Sequence, residues 1–357
     1  DLVFGGQTGE RTSFSNIYSS LPGFLYLFKN GILKKKKIVS NLNFKTNSIE
    51  KIIEKNVKLQ YQTDVHSAIL VSSGIDSRII KKKINEIGKI DSYTLFSKKL
   101  GLDSEDINND YDTHKINVDP YINDIFFIKC LKAYSGIPAH DNFFALSYIY
   151  KSLSDKILKK ENKKLKICYT GEGADEYFGG YGRYRAIAGY LGKKINKNDF
   201  IWISSLKKIS KNWLYLMNSR LNVEELQWLQ KHKKIDDIIE MHLQDYKINS
   251  KRDLLDEMKN YDQNTNLIYA LKKQDISGMM SSVEVRVPFI NQDFFNLSQK
   301  KKLVEIKKNI TKNKLRKIAK KLNIMQNKKI GFPIRSIKNQ YLNIPINNNI
   351  YFKKILG

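Results

Sequence analysis

Two small-residue turns, roughly a hundred residues apart, constrain this chain more than any other feature. Ser72-Ser73-Gly74-Ile75-Asp76-Ser77 follows the apolar run Ala68-Ile69-Leu70-Val71. Gly171-Glu172-Gly173-Ala174-Asp175-Glu176-Tyr177-Phe178-Gly179-Gly180-Tyr181 follows Leu165-Lys166-Ile167-Cys168-Tyr169. Short apolar runs of this kind read as parallel strands buried on both faces. The turns then lie at the carboxyl ends of the strands, where open α/β sheets bind nucleotides. Small residues there let backbone N–H groups and the start of the next helix approach phosphate oxygens. Each turn also carries an aspartate, which a phosphate site accommodates only with a metal cation between them. Capping of the following helix is the ordinary role for Asp76; the surrounding turn favours the metal. The pair therefore reads as a site for ATP with Mg²⁺, with Asp76 and Asp175 as metal ligands.

At 357 residues and 41% hydrophobic content, the chain can bury a sizeable core in one large or two modest domains. No apolar stretch approaches the length of a membrane span, and no signal peptide opens the sequence. Cys130 and Cys168 are too few for a disulfide framework, so a reducing, cytoplasmic setting is expected. The five histidines are scattered without metal-ligand spacing. A net charge of +27 invites a nucleic-acid reading, yet only nine of the 63 basic residues are Arg, the usual reader of grooves and phosphates. The lysines are interleaved with Asn and Ile along the whole chain, as solvated helix faces are. A weak, salt-sensitive attraction to polyanions is all this charge implies.

Residues 1–45 read as short strands and turns, among them Leu2-Val3-Phe4-Gly5-Gly6 and a hairpin from Phe24-Leu25-Tyr26-Leu27-Phe28 through Lys29-Asn30-Gly31. From about residue 46 the pattern turns α/β. A helix at Ser48–Lys58 leads to the strand at 68–71, and a further helix follows Asp76. Strands at Ser92–Phe96 and Thr113–Val118, then helices at Tyr121–Tyr134 and Asn142–Leu158, precede the strand at 165–169. After Gly180 the chain reads as almost entirely helical to about Lys321.

The first turn resembles the Ser-Gly-Gly-x-Asp-Ser loop that binds pyrophosphate in several ATP-cleaving, adenylating families. Gly171–Tyr181 is more particular and resembles the Gly-Glu-Gly-Ala-Asp-Glu-x-Phe-Gly-Gly-Tyr run of the asparagine synthetase family. Three later segments agree with it in order: Met280-Ser281-Ser282-Val283-Glu284-Val285-Arg286-Val287-Pro288-Phe289, Lys312-Asn313-Lys314-Leu315-Arg316 and Lys328-Lys329-Ile330-Gly331-Phe332-Pro333. Phe4 through Gly23 resembles the last strands of the glutaminase domain that precedes the synthetase domain in the glutamine-hydrolysing type.

The resemblance implies a Rossmann-like parallel sheet of the adenine nucleotide α-hydrolase, or PP-loop ATP pyrophosphatase, type with a largely helical C-terminal part. Residues 1–45 become the remnant of the β-rich glutaminase domain, and 46–357 the synthetase domain, its α/β core ending near 182. The implied reaction is adenylation of aspartate by ATP, releasing pyrophosphate, then displacement of AMP by ammonia to give asparagine. The family's glutaminase cysteine and most of its domain are absent from this sequence, so it is expected to be a fragment lacking its first portion, with ammonia supplied from glutamine; a chain fed by free ammonia or a partner glutaminase is the other reading. A homodimer is one expectation; oligomeric state is otherwise left open.

Carried over residue by residue, the ATP and pyrophosphate contacts are Val71, Ser72, Ser73, Gly74, Asp76, Ser77, Thr170 and Gly171. Ser73 replaces the family's first loop glycine, and its side chain either narrows the phosphate approach or adds a hydroxyl donor. Thr170 stands where the family often has Ser. Glu172 matches the acidic residue near the point where ammonia meets the acyl-adenylate; an ion pair with a nearby lysine is the other reading. Lys329 matches the lysine that neutralises charge building on the α-phosphate, and Lys328 is read as a solvated charge. Arg286 either contacts substrate or pairs with Glu284. Phe178, Phe289 and Phe332 are read as packing residues.

Two departures stand out. Leu102–Thr113 is too short and polar for the helix the family places there, and Ile290-Asn291 replaces Leu-Asp. They leave room for the same chemistry on another carboxylate, such as a sugar acid or a peptide, and for a relative without activity. A tRNA-modifying enzyme that shares the first loop is favoured by the charge and opposed by Gly171–Tyr181.

Overall fold

The computed structural model describes residues 3–4, 9–12, 14–37, 48–62, 64–96, 112–117, 124–134, 142–219, 221–232, 235–243, 254–300, 303–306 and 310–324. Strands β1 (Phe24–Lys29) and β2 (Ile32–Lys37) form an antiparallel hairpin that is a sheet of its own. Asn30 and Gly31 turn it with φ of 50° and 74°, the positive pair that a two-residue hairpin turn requires. Leu25, Leu27, Phe28, Ile32 and Leu33 are exposed on it.

Helix α1 (Ile49–Tyr61) begins at Ser48, whose hydroxyl accepts from the Lys51 N–H. Next come β3 (Ser67–Leu70), α2 (Ile75–Asn85), β4 (Asp91–Phe96), β5 (Thr113–Asn117), α3 (Asp124–Tyr134), α4 (Asn142–Glu161), β6 (Ile167–Tyr169) and α5 (Ala174–Phe178). Helices α6 (Gly182–Leu191), α7 (Lys197–Ile209), α8 (Trp213–Leu216), α9 (Val223–His232), α10 (Ile235–His242), α11 (Leu254–Asn264) and α12 (Asn266–Met279) follow. Strand β7 (Glu284–Arg286) and helices α13 (Gln292–Lys300) and α14 (Asn313–Lys321) complete the described elements. The expectation of an almost wholly helical stretch after Gly180 needs one correction, because β7 returns to the sheet. Three residues of Glu-Val-Arg carry no strand signal alone. Pairing with β6 makes them a strand, through Glu284 N–H to Lys166 O and Thr170 N–H to Arg286 O.

The five strands are all parallel, in the order β5-β4-β3-β6-β7. The chain winds outward from β3 through β4 to β5, then crosses back to β6 and out to β7. Winding direction therefore reverses between β3 and β6, and such a reversal opens a crevice at the carboxyl ends of the two strands. The sheet is covered on both faces, which is why its strands read as short apolar runs. Ile69 packs with Ile52, Ile53, Ile79 and Ile80 of α1 and α2, while its neighbour Ala68 packs with Tyr150, Leu153 and Cys168 on the opposite face.

A second core lies among α6 to α11, built on Ile187, Leu206, Leu229, Ile239 and Met258. Val3 and Phe4 are buried in it, with Phe4 stacked on His242 at 4.1 Å. They form a turn rather than the short strand their apolar character suggests. Burial lowers the His242 imidazole to about pH 3, so this stacked ring is neutral. Polar groups in this core converge on Asp262, which is fully buried. Its carboxylate accepts from Arg183 Nη2 at 2.7 and 2.8 Å, Tyr184 Oη at 2.6 Å and Asn266 Nδ2 at 2.6 Å. Asp262→Ala leaves that guanidinium buried without its counter-ion. A loss of about 3–5 kcal/mol is expected, read from chemical denaturation.

Candidate active site

Both turns open from adjacent strand ends, since Ser67, Ala68 and Ile69 of β3 pair with Ile167, Cys168 and Tyr169 of β6. Val71, one residue past β3, still donates its N–H to Tyr93 O at 2.8 Å. The first turn is closed by its own hydroxyls. Ser72 N–H donates to Ser77 Oγ at 3.0 Å, and Gly74 N–H donates to Ser72 Oγ at 3.2 Å. Gly74 caps α2 without a side-chain bond, and the first N–H groups of a helix have no partner within it. Ser73 is buried.

The second turn is pressed against the first. A Cβ on Gly171 would lie 2.6 Å from the Ser77 backbone nitrogen and 2.9 Å from Asp76 Cβ, so no other residue fits without moving the loop. Gly173, at φ 89°, begins α5 against Ile290. Two residues apart in sequence, Glu172 and Ala174 then diverge, the first toward α12 and the second into the core below the sheet.

The two aspartates meet on one cation. Lys312 Nζ lies 2.6 Å from Asp76 Oδ2 and 2.5 Å from Asp175 Oδ1, so those oxygens sit within twice a hydrogen-bond length of each other. Lys312 is itself buried. Asp76 Oδ1 is buried and has no hydrogen-bond partner among the described residues. Hard carboxylate oxygens, two of them on a shared point and one still open, suit a magnesium ion that keeps its remaining positions for phosphate and water. Among the described residues no three His, Cys, Asp or Glu side chains form a metal cage.

Glu172 is held from one side. Its Oε2 accepts from Gln274 Nε2 at 2.6 Å and lies 3.5 Å from Lys273 Nζ, while Tyr150 Oη donates to Gln274 Oε1 at 2.7 Å. Sequence reasoning anticipated a lysine partner without naming it. Lys273, Gln274 and Tyr150 carried no signal there, because their approach to Glu172 depends on how α12 and α4 pack. Glu176 is fully buried and accepts a very short bond from the Tyr181 hydroxyl. Burial first, then the charges of Glu172 and Asp175, push its carboxyl up to about 8.

Arg286 places its guanidinium on Glu284 Oε1 at 2.9 Å and on the Gln60 carbonyl, which also accepts from Tyr169 Oη at 2.7 Å. The Ile290-Asn291 departure has a local role. Asn291 Oδ1 accepts from the Phe294 N–H at the start of α13, and Ile290 fills the space beside Gly173. Phe178 and Phe289 are buried, with ring centroids 6.4 Å apart. Lys328, Lys329, Phe332 and the segment at 97–111 lie outside the described residues.

The sequence model of asparagine synthase matches residues 136–348, more than half of the chain. The chain belongs to the asparagine synthase family. Its sheet is the family's PP-loop fold, and at the level of the family it is an ATP-dependent amide-forming ligase. No curated protein gives a significant match. The matched region contains the Asp175 turn, Glu172 and Lys312, whereas the Ser72–Ser77 loop precedes it, so that loop's part in the site rests on the pairing of β3 with β6.

Two outcomes follow from this geometry. Gly171→Ala should cost about 1–3 kcal/mol by overpacking the Ser77 backbone. It should also weaken ATP binding, checked by denaturation and nucleotide titration. Glu176 keeps a proton in the folded chain that the unfolded chain releases, so its contribution to stability falls as pH rises from about 4.5 to about 8. Glu176→Gln should flatten melting temperature against pH in the part of that window above the range where His242 titrates in the unfolded chain; an unchanged slope there refutes the assignment.

Proposed function

We propose that the chain adenylates the side-chain carboxylate of aspartate and transfers ammonia to it, making asparagine, AMP and pyrophosphate. The observation that carries this reading is the convergence of Asp76 and Asp175 at the switch point of the sheet. A carboxylate oxygen of the substrate attacks the α-phosphorus of ATP, and the bond to the bridging oxygen breaks, so pyrophosphate leaves with the electron pair. Ammonia nitrogen then attacks the acyl carbon, the bond to the AMP oxygen breaks, and nitrogen loses a proton.

Ser72, Gly74 and Ser77, with the start of α2, supply N–H and hydroxyl donors to the departing pyrophosphate. Thr170 and Gly171 meet the adenylate. Asp76 and Asp175 would hold magnesium, which when bound offsets the charge of the polyphosphate. Glu172, anchored through one oxygen by Gln274 and Lys273, keeps the other available to take the proton from the attacking amine. Lys329 completes the set as the cation for the α-phosphate. Residues 1–45 fit the tail of a glutaminase domain, which would make glutamine the source of ammonia. Another carboxylic acid in place of aspartate keeps the same residues in the same roles.

ATP–pyrophosphate exchange with a panel of carboxylic acids tests the reading. Exchange is expected with aspartate and Mg²⁺ and not without the metal, and Asp76→Asn should lower it about a hundredfold or more. Exchange driven only by a different acid reassigns the substrate. Exchange with none of them removes the ligase activity from this chain.

A further inference from the structure

Lys312 is the side chain that the proposed chemistry does not use, yet it occupies the centre of the site. Its ammonium bridges both aspartates at 2.6 and 2.5 Å. The fold is built to put it there. The residue sits at the N-cap of α14 with φ 56°, a left-handed backbone that is uncommon for a residue with a side chain. Helix α14 is fixed beneath by buried Leu315 and Ala319, which pack in the main core with α2 and α5. Gly180 leaves room for the lysine stem, because a Cβ there would lie 2.1 Å from Lys312 Cε and 1.7 Å from Asp175 Oδ1.

Resting on the reading of Asp76 and Asp175 as metal ligands, we propose that Lys312 is a built-in placeholder for the divalent ion. Its ammonium bridges the two carboxylates in the nucleotide-free chain and makes metal entry depend on the arrival of ATP. Two carboxylates this close and this poorly solvated repel each other unless a cation lies between them. The lysine supplies that cation from within the chain. A magnesium ion bound between the same two carboxylates, at about 2.0–2.1 Å from its oxygens, would crowd the ammonium that already lies there, and two cations so close repel each other. Metal alone must therefore displace a lysine already paired with both aspartates. A metal–nucleotide complex brings phosphate oxygens with it, and these give the displaced ammonium a new partner. Lys312 is thus a positioning residue, one that holds the metal ligands in register before the metal arrives.

Mn²⁺ binding followed by electron paramagnetic resonance tests this, with and without a non-hydrolysable ATP analogue. The native chain should bind Mn²⁺ weakly alone and tightly with the analogue. Lys312→Met should bind Mn²⁺ alone about tenfold tighter or more, the scale expected when one competing charge leaves a partly screened site. Adding Asp76→Asn to that variant should abolish the gain. Lys312→Met should also melt earlier than the native chain without divalent ions and recover with Mn²⁺, and Lys312→Gln gives the same comparison if the methionine variant folds poorly. Equal Mn²⁺ affinity in the native and Lys312 variants, with Asp76-dependent binding intact in the presence of nucleotide, overturns the placeholder alone. Loss of any Asp76-dependent Mn²⁺ binding, even with nucleotide, overturns the metal-ligand reading and the placeholder with it.

Discussion

Parallel pairing of β3 with β6 is the constraint on which the rest of the site depends. Three residue pairs bring two distant turns to one edge of the sheet. Because both strands run the same way and the winding reverses between them, both turns open into the same crevice. Everything chemical then follows at short range. Gly171 lets the second turn touch the first, the serine hydroxyls close the loop, and the aspartates face each other across a gap that one cation can fill. A strand inserted between β3 and β6 would separate the carboxylates by about two strand spacings, roughly 10 Å, and the site would not exist.

Much of this was legible because parallel strands and phosphate turns leave dense local signals. Ala68–Val71 and Leu165–Tyr169 are apolar because both faces of the sheet are covered, and the small residues after them cluster because backbone must come close to backbone. Element ends differ by a residue or two, as at β3, where Val71 follows the strand instead of closing it. What could not be read is whatever depends on long-range packing. Strand β7 is three residues that only β6 makes into a strand. Lys273 and Gln274 are two polar residues on a helix until α12 packs on α4 and turns them toward Glu172. Lys312 lay inside a recognised motif, yet nothing in a run of lysines says which one is buried.

The heavy positive charge looks different once burial is known. Lys81, Lys83, Lys259, Lys273 and Lys312 are all buried, and each meets an oxygen. Lys81 donates to Thr113 Oγ1, Lys83 to Glu54 and Glu86, and Lys259 to the Ser298 carbonyl. Buried ammonium groups persist only with such partners, so these five are structural or functional. No helix among the described residues is long and apolar enough to cross a membrane.

The bond between Lys312 and Asp76 spans 236 residues of chain. A ribosome delivers the two aspartates long before it delivers the lysine, so the emerging polypeptide carries an unneutralised acidic pair while its first strands and helices collapse. Docking of α14 relieves that repulsion late. Competence to receive a ligand is thus tied to the arrival of α14, and truncated translation products that stop short of it are left with a half-assembled centre.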